Sequence, residues 1–321
     1  MNRWTAAAAI GILAAAPAGA ADRDILRVVG SSSLFPFSSA VAEAFRRGSP
    51  FRAPVVESTG TGGGFKIFCA GVGLNTPDIV TASRPILPAE AGACRANGVS
   101  ALAEVALGHG AVVLAQARGG AAMALTRRHL WLGLARQVPV GGRLAANPHR
   151  RWSDVDPTLP DTPIRVYGPP PTSGTRDVFA QVALEGGCSA FRQVRDLPAE
   201  KHREACESLR EDGAYVEVGE DDEMAIRRVA ADKEALAVVE FGAVLRHGNL
   251  VRGVPVEGIV PTAESIGLGN YPLARDLYLY VKKDHLGSVP GLGKFVEEFS
   301  SPAAIGPEGY LLPLGLVPLA R

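Results

Sequence analysis

The stretch Ser58-Thr59-Gly60-Thr61-Gly62-Gly63-Gly64-Phe65-Lys66 puts four glycines into five positions, between an apolar run, "APVVE", and a helix-like run, "FKIFC". Glycine lets the backbone come close to a partner and reach positive φ, and the neighbouring hydroxyls add donors. Two other stretches share the recipe. "VVGSSSLFPFSSA" and "VYGPPPTSGTRDVFAQ" each pass from an apolar run through small hydroxyl residues and glycine into the start of a helix. Free amides and hydroxyls gathered at such a junction suit a small anion, helped by about half a positive charge at a helix N-terminus. Taken singly, each has an ordinary reading. Ser32 and Ser33 can form a turn, Ser38 can cap a helix, Gly60 and Gly62 to Gly64 can serve positive φ, and Ser173-Gly174-Thr175 can be a capped helix start. Three in one chain favour a shared ligand.

Other loop chemistries fail on spacing. A phosphate-cradling G-x-x-x-x-G-K-[ST] loop is excluded because Phe65 separates Gly64 from Lys66 and Ile67 stands where the hydroxyl belongs. A dinucleotide G-x-G-x-x-G starting at Gly60 meets Phe65 at its third glycine. No G-x-S-x-G elbow occurs, and no S-x-x-K box accompanies the serines. The loop survives as a cradle for something small and negative.

Alternating short apolar runs and helical patterns must position these junctions, which predicts an α/β protein. Strands are expected at 25–29, 54–58, 78–82, 111–115, 164–168, 235–241 and 277–282. Helices are expected at Ser38–Arg47, Gly64–Ala70, Leu87–Asn97, Arg176–Glu185, Glu223–Ala231 and Gly291–Phe299. Residues 139–163, rich in Pro, Gly and charge, read as an irregular surface excursion. No internal repeat is present.

The chain has 321 residues, enough for two domains. Hydrophobic residues make up 47% and charged residues 21%, the composition of a globular protein. Lys+Arg and Asp+Glu both number 33, and no basic tract stands out, so nucleic acid is not an expected partner. None of the six histidines is spaced from another like paired metal ligands, so no metal and no cofactor are expected. Arg3, the apolar run Ala6 to Ala16 and the small residues Ala18-Gly19-Ala20 predict a cleaved export signal over residues 1–20. No later segment has the roughly 18 consecutive apolar residues of a membrane span.

Four cysteines in an exported chain predict two disulfides, for which three connectivities exist. Pairing of sequence neighbours, Cys69–Cys94 and Cys188–Cys206, is the simplest. Each would close a short loop and contribute about 3 kcal/mol.

Together "GSSSLFPF", "TGTGGGFK", "PDIVTASRPI" and "SGTRDVF" resemble, in order and spacing, the signature blocks of the periplasmic phosphate-binding proteins of ABC-type phosphate importers. The likeness continues through "REDGAYVEVGEDDE", "VPTAESIGLGNYPLARDLYLYVKK" and "PGLGKFVEEF". It implies a two-lobed type II periplasmic binding fold with a ligand cleft between lobes joined by two crossover strands. Residues 24–107 plus 258–321 would form lobe I and 108–257 lobe II. The implied ligand set is Ser32, Ser33 and the Leu34 amide, Thr61 with the Gly62 amide, Ser83 and Arg84, and Ser173, Gly174, Thr175 and Arg176. The implied partners are phosphate or a similar oxyanion and an importer permease in the inner membrane. A periplasmic monomer is expected.

The chain departs from the best-known members in two places. They carry an aspartate after the Ala-Ser of the third block, an acceptor for the hydrogen of a protonated phosphate; here Arg84 follows Ala82-Ser83. They carry an arginine shortly before Ser-Gly-Thr, where this chain has prolines. Arg84 and Arg176 would then supply the positive charge, and Asp177 is a carboxylate able to act as the acceptor. Sulfate or phosphonate is the alternative ligand. An exported phosphate-ester hydrolase, with Ser33 or Thr175 as nucleophile, would need a base or metal pair that the sequence does not display. A sensor built on the same fold is a third reading.

Overall fold

All seven expected strands form in the chain, which a computed structural model describes over residues 23–319. The expected export signal lies outside those residues. The first three strands are β1 (Arg27–Gly30), β2 (Val55–Ser58) and β3 (Ile79–Ala82), with β1 parallel to both others. Between and after them come α1 (Phe35–Gly48), α2 (Thr61–Phe68) and α3 (Pro88–Ala96). α1 starts three residues before the expected Ser38. Pro36 occupies its first turn, where a missing amide N–H costs nothing. Ser38 is therefore an interior, buried position and not a cap. Phe37, Val41 and Phe45, four apart, form the buried face of α1, and Phe45 meets Phe295 edge-on at 5.5 Å.

α2 likewise starts earlier than expected, at Thr61. Of the loop glycines only Gly60 has positive φ (70°), and it is the residue just before the helix. Gly62 to Gly64 are helical. Gly64 is required for a different reason: a Cβ there would lie 2.7 Å from the Gly30 Cα. The start of α2 is thus pressed backbone to backbone against the end of β1.

β4 (Leu102–Ala117) is far longer than the expected strand at 111–115 and joins the two halves of the sheet. Up to Ala111 it pairs antiparallel with β11 (Ala274–Lys282); from Val112 it pairs antiparallel with β9 (Leu236–Glu240). After β4 the chain forms α4 (Arg127–Leu134), a hairpin of β5 (Gln137–Val140) and β6 (Arg143–Ala146), and the short α5 (Trp152–Val155). The hairpin and α5 replace the irregular excursion expected at 139–163. Gly141 and Gly142, both at positive φ, form the two-residue turn.

β7 (Val166–Gly168) leads into α6 (Gly174–Phe179), a π-turn over Ala180–Leu184 and α7 (Glu185–Cys188). α8 (Arg192–Arg195), α9 (Ala199–Glu207), β8 (Tyr215–Glu217), α10 (Asp222–Ala231), β9 (Leu236–Glu240) and β10 (Val251–Gly253) follow. β7 is parallel to β8 and β9, and β10 pairs with the end of β4. The chain then returns as β11 (Ala274–Lys282) to lie between β3 and β4. The sheet order is β2-β1-β3-β11-β4-β9-β7-β8.

The result is a two-lobed α/β fold. One core gathers Leu34, Val41, Phe45, Phe295 and Phe299; another gathers Leu114, Trp131, Val166, Phe179 and Val238. The neighbour pairing of cysteines is the one formed: Cys69–Cys94 ties α2 to α3, and Cys188–Cys206 ties α7 to α9.

Candidate anion-binding cleft

The C-terminal ends of β1, β2 and β3 face the end of β7, the edge at which open α/β sheets place their ligands. A cavity of about 230 Å³ lies there. One wall comes from Ser31 and Ser32 after β1, Thr59 to Gly63 after β2, and Ser83 and Arg84 after β3. The other wall is Gly174, Asp177, Val178 and Gln181 on the helix after β7. Six of the expected site residues therefore converge: Ser32, Thr61, Gly62, Ser83, Arg84 and Gly174. The walls touch at Gly174, where a Cβ would fall 2.5 Å from Ser32 Cβ and 3.0 Å from the Ser33 amide nitrogen.

Donors follow from local structure. The first amides of α2 have no helical acceptor to donate to, and Thr61 to Gly63 are those residues. Thr61 Oγ1 accepts the Ser83 amide at 3.2 Å and lies 3.1 Å from Ser83 Oγ. That link fixes the hydroxyls from two junctions side by side. Ser33 Oγ is buried without a hydrogen-bond partner. An orphan hydroxyl costs about 1–3 kcal/mol of desolvation, although Ser33 does not itself line the cavity.

Five expected residues are placed differently. Ser33 and Ser173 are buried and do not line the cavity. The Leu34 amide already donates to Ser31 O at 3.0 Å. The Thr175 hydroxyl donates to Glu240 Oε1 at 3.0 Å. Arg176 turns away: its guanidinium lies 4.5 Å over the Tyr215 ring and donates to Pro169 O at 3.2 Å.

Arg84 does line the cavity, but it is not a free cation. Glu90 on α3 accepts from both Nη atoms at 2.8 Å each. Burial would raise the Glu90 carboxyl, but the hydrogen bonds from Arg84 and the Leu87 amide outweigh it and hold the group below its ordinary range. The charged group that faces the cavity without such a partner is Asp177. Its side chain is accessible, yet desolvation by the surrounding walls pushes its carboxyl up, with nearby Arg176 opposing in part.

Gln181 and Glu90 are site residues that sequence reasoning missed. Asp177 and Gln181 are four apart, so helical periodicity could have marked Gln181. Glu90 carries no such signal, because its contact with Arg84 depends on how α3 folds back over the loop.

A two-lobed α/β fold with a small polar cleft at its strand ends defines a solute-binding protein of the periplasmic type. The chain belongs to the PBP superfamily, whose domain matches residues 15–303. It is 28% identical over 269 residues to Protein SphX of Synechococcus elongatus, covering 82% of this chain and 69% of that one. It is 22% identical to the phosphate-binding protein PstS of Staphylococcus saprophyticus, over 84% of this chain and 73% of the relative. Its fold superposes on the crystal structure of a possible phosphate-binding protein from Planctomyces limnophilus with a TM-score of 0.68 and 25% identity, covering 92% and 93% of the two chains.

Proposed function

We propose that this protein captures phosphate between its lobes in the periplasm and delivers it to an ABC importer in the inner membrane. The observation that carries the reading is the convergence of four strand-to-helix junctions, from both lobes, on one cavity lined by hydroxyls and amides. The PstS relative, by its name, supports phosphate as the ligand. We assign residues 24–107 plus 258–321 to lobe I and 108–257 to lobe II. The protein acts as a monomer after removal of its export signal.

A dianion leaving water loses strong hydration, and the site must return a partner to every oxygen. Hydrogen bonds to a charged group contribute roughly 1.5–3 kcal/mol each. Ser32, Thr61, Gly62, Ser83 and Gly174 are in place to make them. Ser33, Ser173 and the amides of Thr175 and Arg176 join as the lobes close further, in the manner of hinged binding proteins. Arg84, held by Glu90, still has N–H groups for an oxygen.

Asp177 decides between oxyanions. A carboxylate accepts a hydrogen bond from protonated phosphate and repels sulfate, which has no proton to offer. A site that must pair a buried acceptor rejects a ligand lacking the donor. Ser33 Oγ has no hydrogen-bonded base among the described residues, and Thr175 Oγ1, which does donate to Glu240, does not line the cavity; both favour binding over ester hydrolysis. Calorimetric competition of phosphate against sulfate between pH 5 and 8 tests the reading. Tight, phosphate-selective binding is expected; absence of phosphate binding overturns it.

A further inference from the structure

Away from the cleft, the contact between α7 and α9 gathers a second set of reactive side chains. α7 presents Glu185 and Cys188, three apart; α9 presents His202 and Cys206, four apart. Both spacings put a pair on one helix face. The ligand atoms of all four lie within 4.8 Å of one another. His202 Nε2 is 2.7 Å from Glu185 Oε1 and 3.6 Å from Cys206 Sγ, and Cys188 Sγ is 3.8 Å from Glu185 Oε2.

Two further features fit a metal. His202 Nδ1 lies 3.1 Å from Val194 O, a carbonyl that accepts its N–H and leaves Nε2 aimed at the sulfurs. Outer-shell carbonyls fix the ring of a metal-bound histidine in this way. Both sulfurs are fully buried, while His202 and Glu185 remain partly exposed and form the open edge. The other cysteine pair has no such surroundings: Cys69 Sγ meets only the Glu90 carbonyl.

We propose that, once the Cys188–Cys206 bond is opened, Glu185, Cys188, His202 and Cys206 bind one thiophilic divalent cation, Zn²⁺ foremost, as a four-ligand S₂NO site. The metal then replaces the disulfide as the tie between α7 and α9. A phosphine or dithiol reductant supplies the two electrons that cleave the S–S bond, is itself oxidised, and leaves two thiols. Zn²⁺ displaces both thiol protons and the proton shared by His202 and Glu185. The disulfide form holds no metal there, since neither sulfur is a thiolate.

The test uses the full mature chain carrying Cys69→Ser and Cys94→Ser, reduced with a phosphine, and Co²⁺ as a spectroscopic probe. One equivalent is expected to produce a thiolate-to-cobalt charge-transfer band with tetrahedral ligand-field bands, which Zn²⁺ abolishes. The oxidised chain gives neither. His202→Ala and Glu185→Gln should each weaken Zn²⁺ binding by at least about tenfold. If the reduced chain unfolds, Zn²⁺ should restore its helical circular dichroism. The proposal is overturned by absence of the charge-transfer band, by metal binding indifferent to both substitutions, or by failure of Zn²⁺ to refold an unfolded reduced chain.

Discussion

Glu90 grips the Arg84 guanidinium with both carboxylate oxygens, each at 2.8 Å, at the wall of the cleft. The arginine that follows Ser83 thus brings its own acid with it. Arg84→Ala removes the cation and leaves Glu90 facing the ligand. Phosphate affinity should drop by at least about tenfold, equivalent to ~1.4 kcal/mol. Adding Glu90→Gln should restore most of it. Calorimetry on the single and double variants measures this, and unchanged affinity in Arg84→Ala removes Arg84 from the site.

Asp177→Asn should narrow the preference for phosphate over sulfate, since an amide can donate to either anion. In the unsubstituted protein the same preference should shrink as pH falls. The carboxyl is raised by desolvation, so it takes up a proton at a higher pH than an ordinary aspartate and then becomes a donor. A preference for phosphate that ignores both the substitution and pH would show that another group reads the ligand proton.

Gly174→Ala introduces a methyl where Ser32 already stands. The lobes should be unable to meet, and phosphate binding should weaken by about a hundredfold or more, ~2.7 kcal/mol. Thermal melting without ligand should change little, because neither core is touched. Near-normal affinity would show that the contact is dispensable for capture.

Asp222, beside Glu240, has its carboxyl pushed up to about 7, first by burial and then by the Glu240 charge. The folded chain therefore holds this proton more tightly than the unfolded chain, whose aspartate has the ordinary value near 3.8. Stability from this group should be fully present below pH 4 and decline as pH rises towards 7. Asp222→Asn should flatten that decline in denaturant melts; a steeper slope in the variant would reverse the sign assigned here.

Replacing Cys69 and Cys94 by serine should lower stability by about 3 kcal/mol, the closure entropy of a loop spanning 25 residues. Denaturant midpoints compare the two chains. An unchanged midpoint would mean that packing of α2 on α3 suffices.

The three junctions are legible in the sequence because each keeps its hydroxyl-and-glycine signature within a few residues of an apolar run. Strand positions are legible for the same local reason. The roles of Thr175 and Arg176 are not. Their backbone sits at the expected helix start, but their side chains are claimed by Glu240 and Tyr215, residues about 65 and 40 positions away that only the β9 and β8 neighbours bring near. Gly64 illustrates the opposite case. Its identity suggests an unusual dihedral, whereas the requirement is steric, set by a Gly30 that no local pattern could pair with it.

β4 has a consequence for how the molecule can be made and broken. Because one unbroken strand of 16 residues supplies hydrogen bonds to both halves, neither half can be excised with its sheet intact. A cut anywhere along 102–117 strips an edge from one side or leaves an orphaned ribbon on the other. Separately expressed halves should therefore aggregate, and complementation by fragments should succeed only when the break lies elsewhere, in the turn at Gly141 and Gly142 for instance.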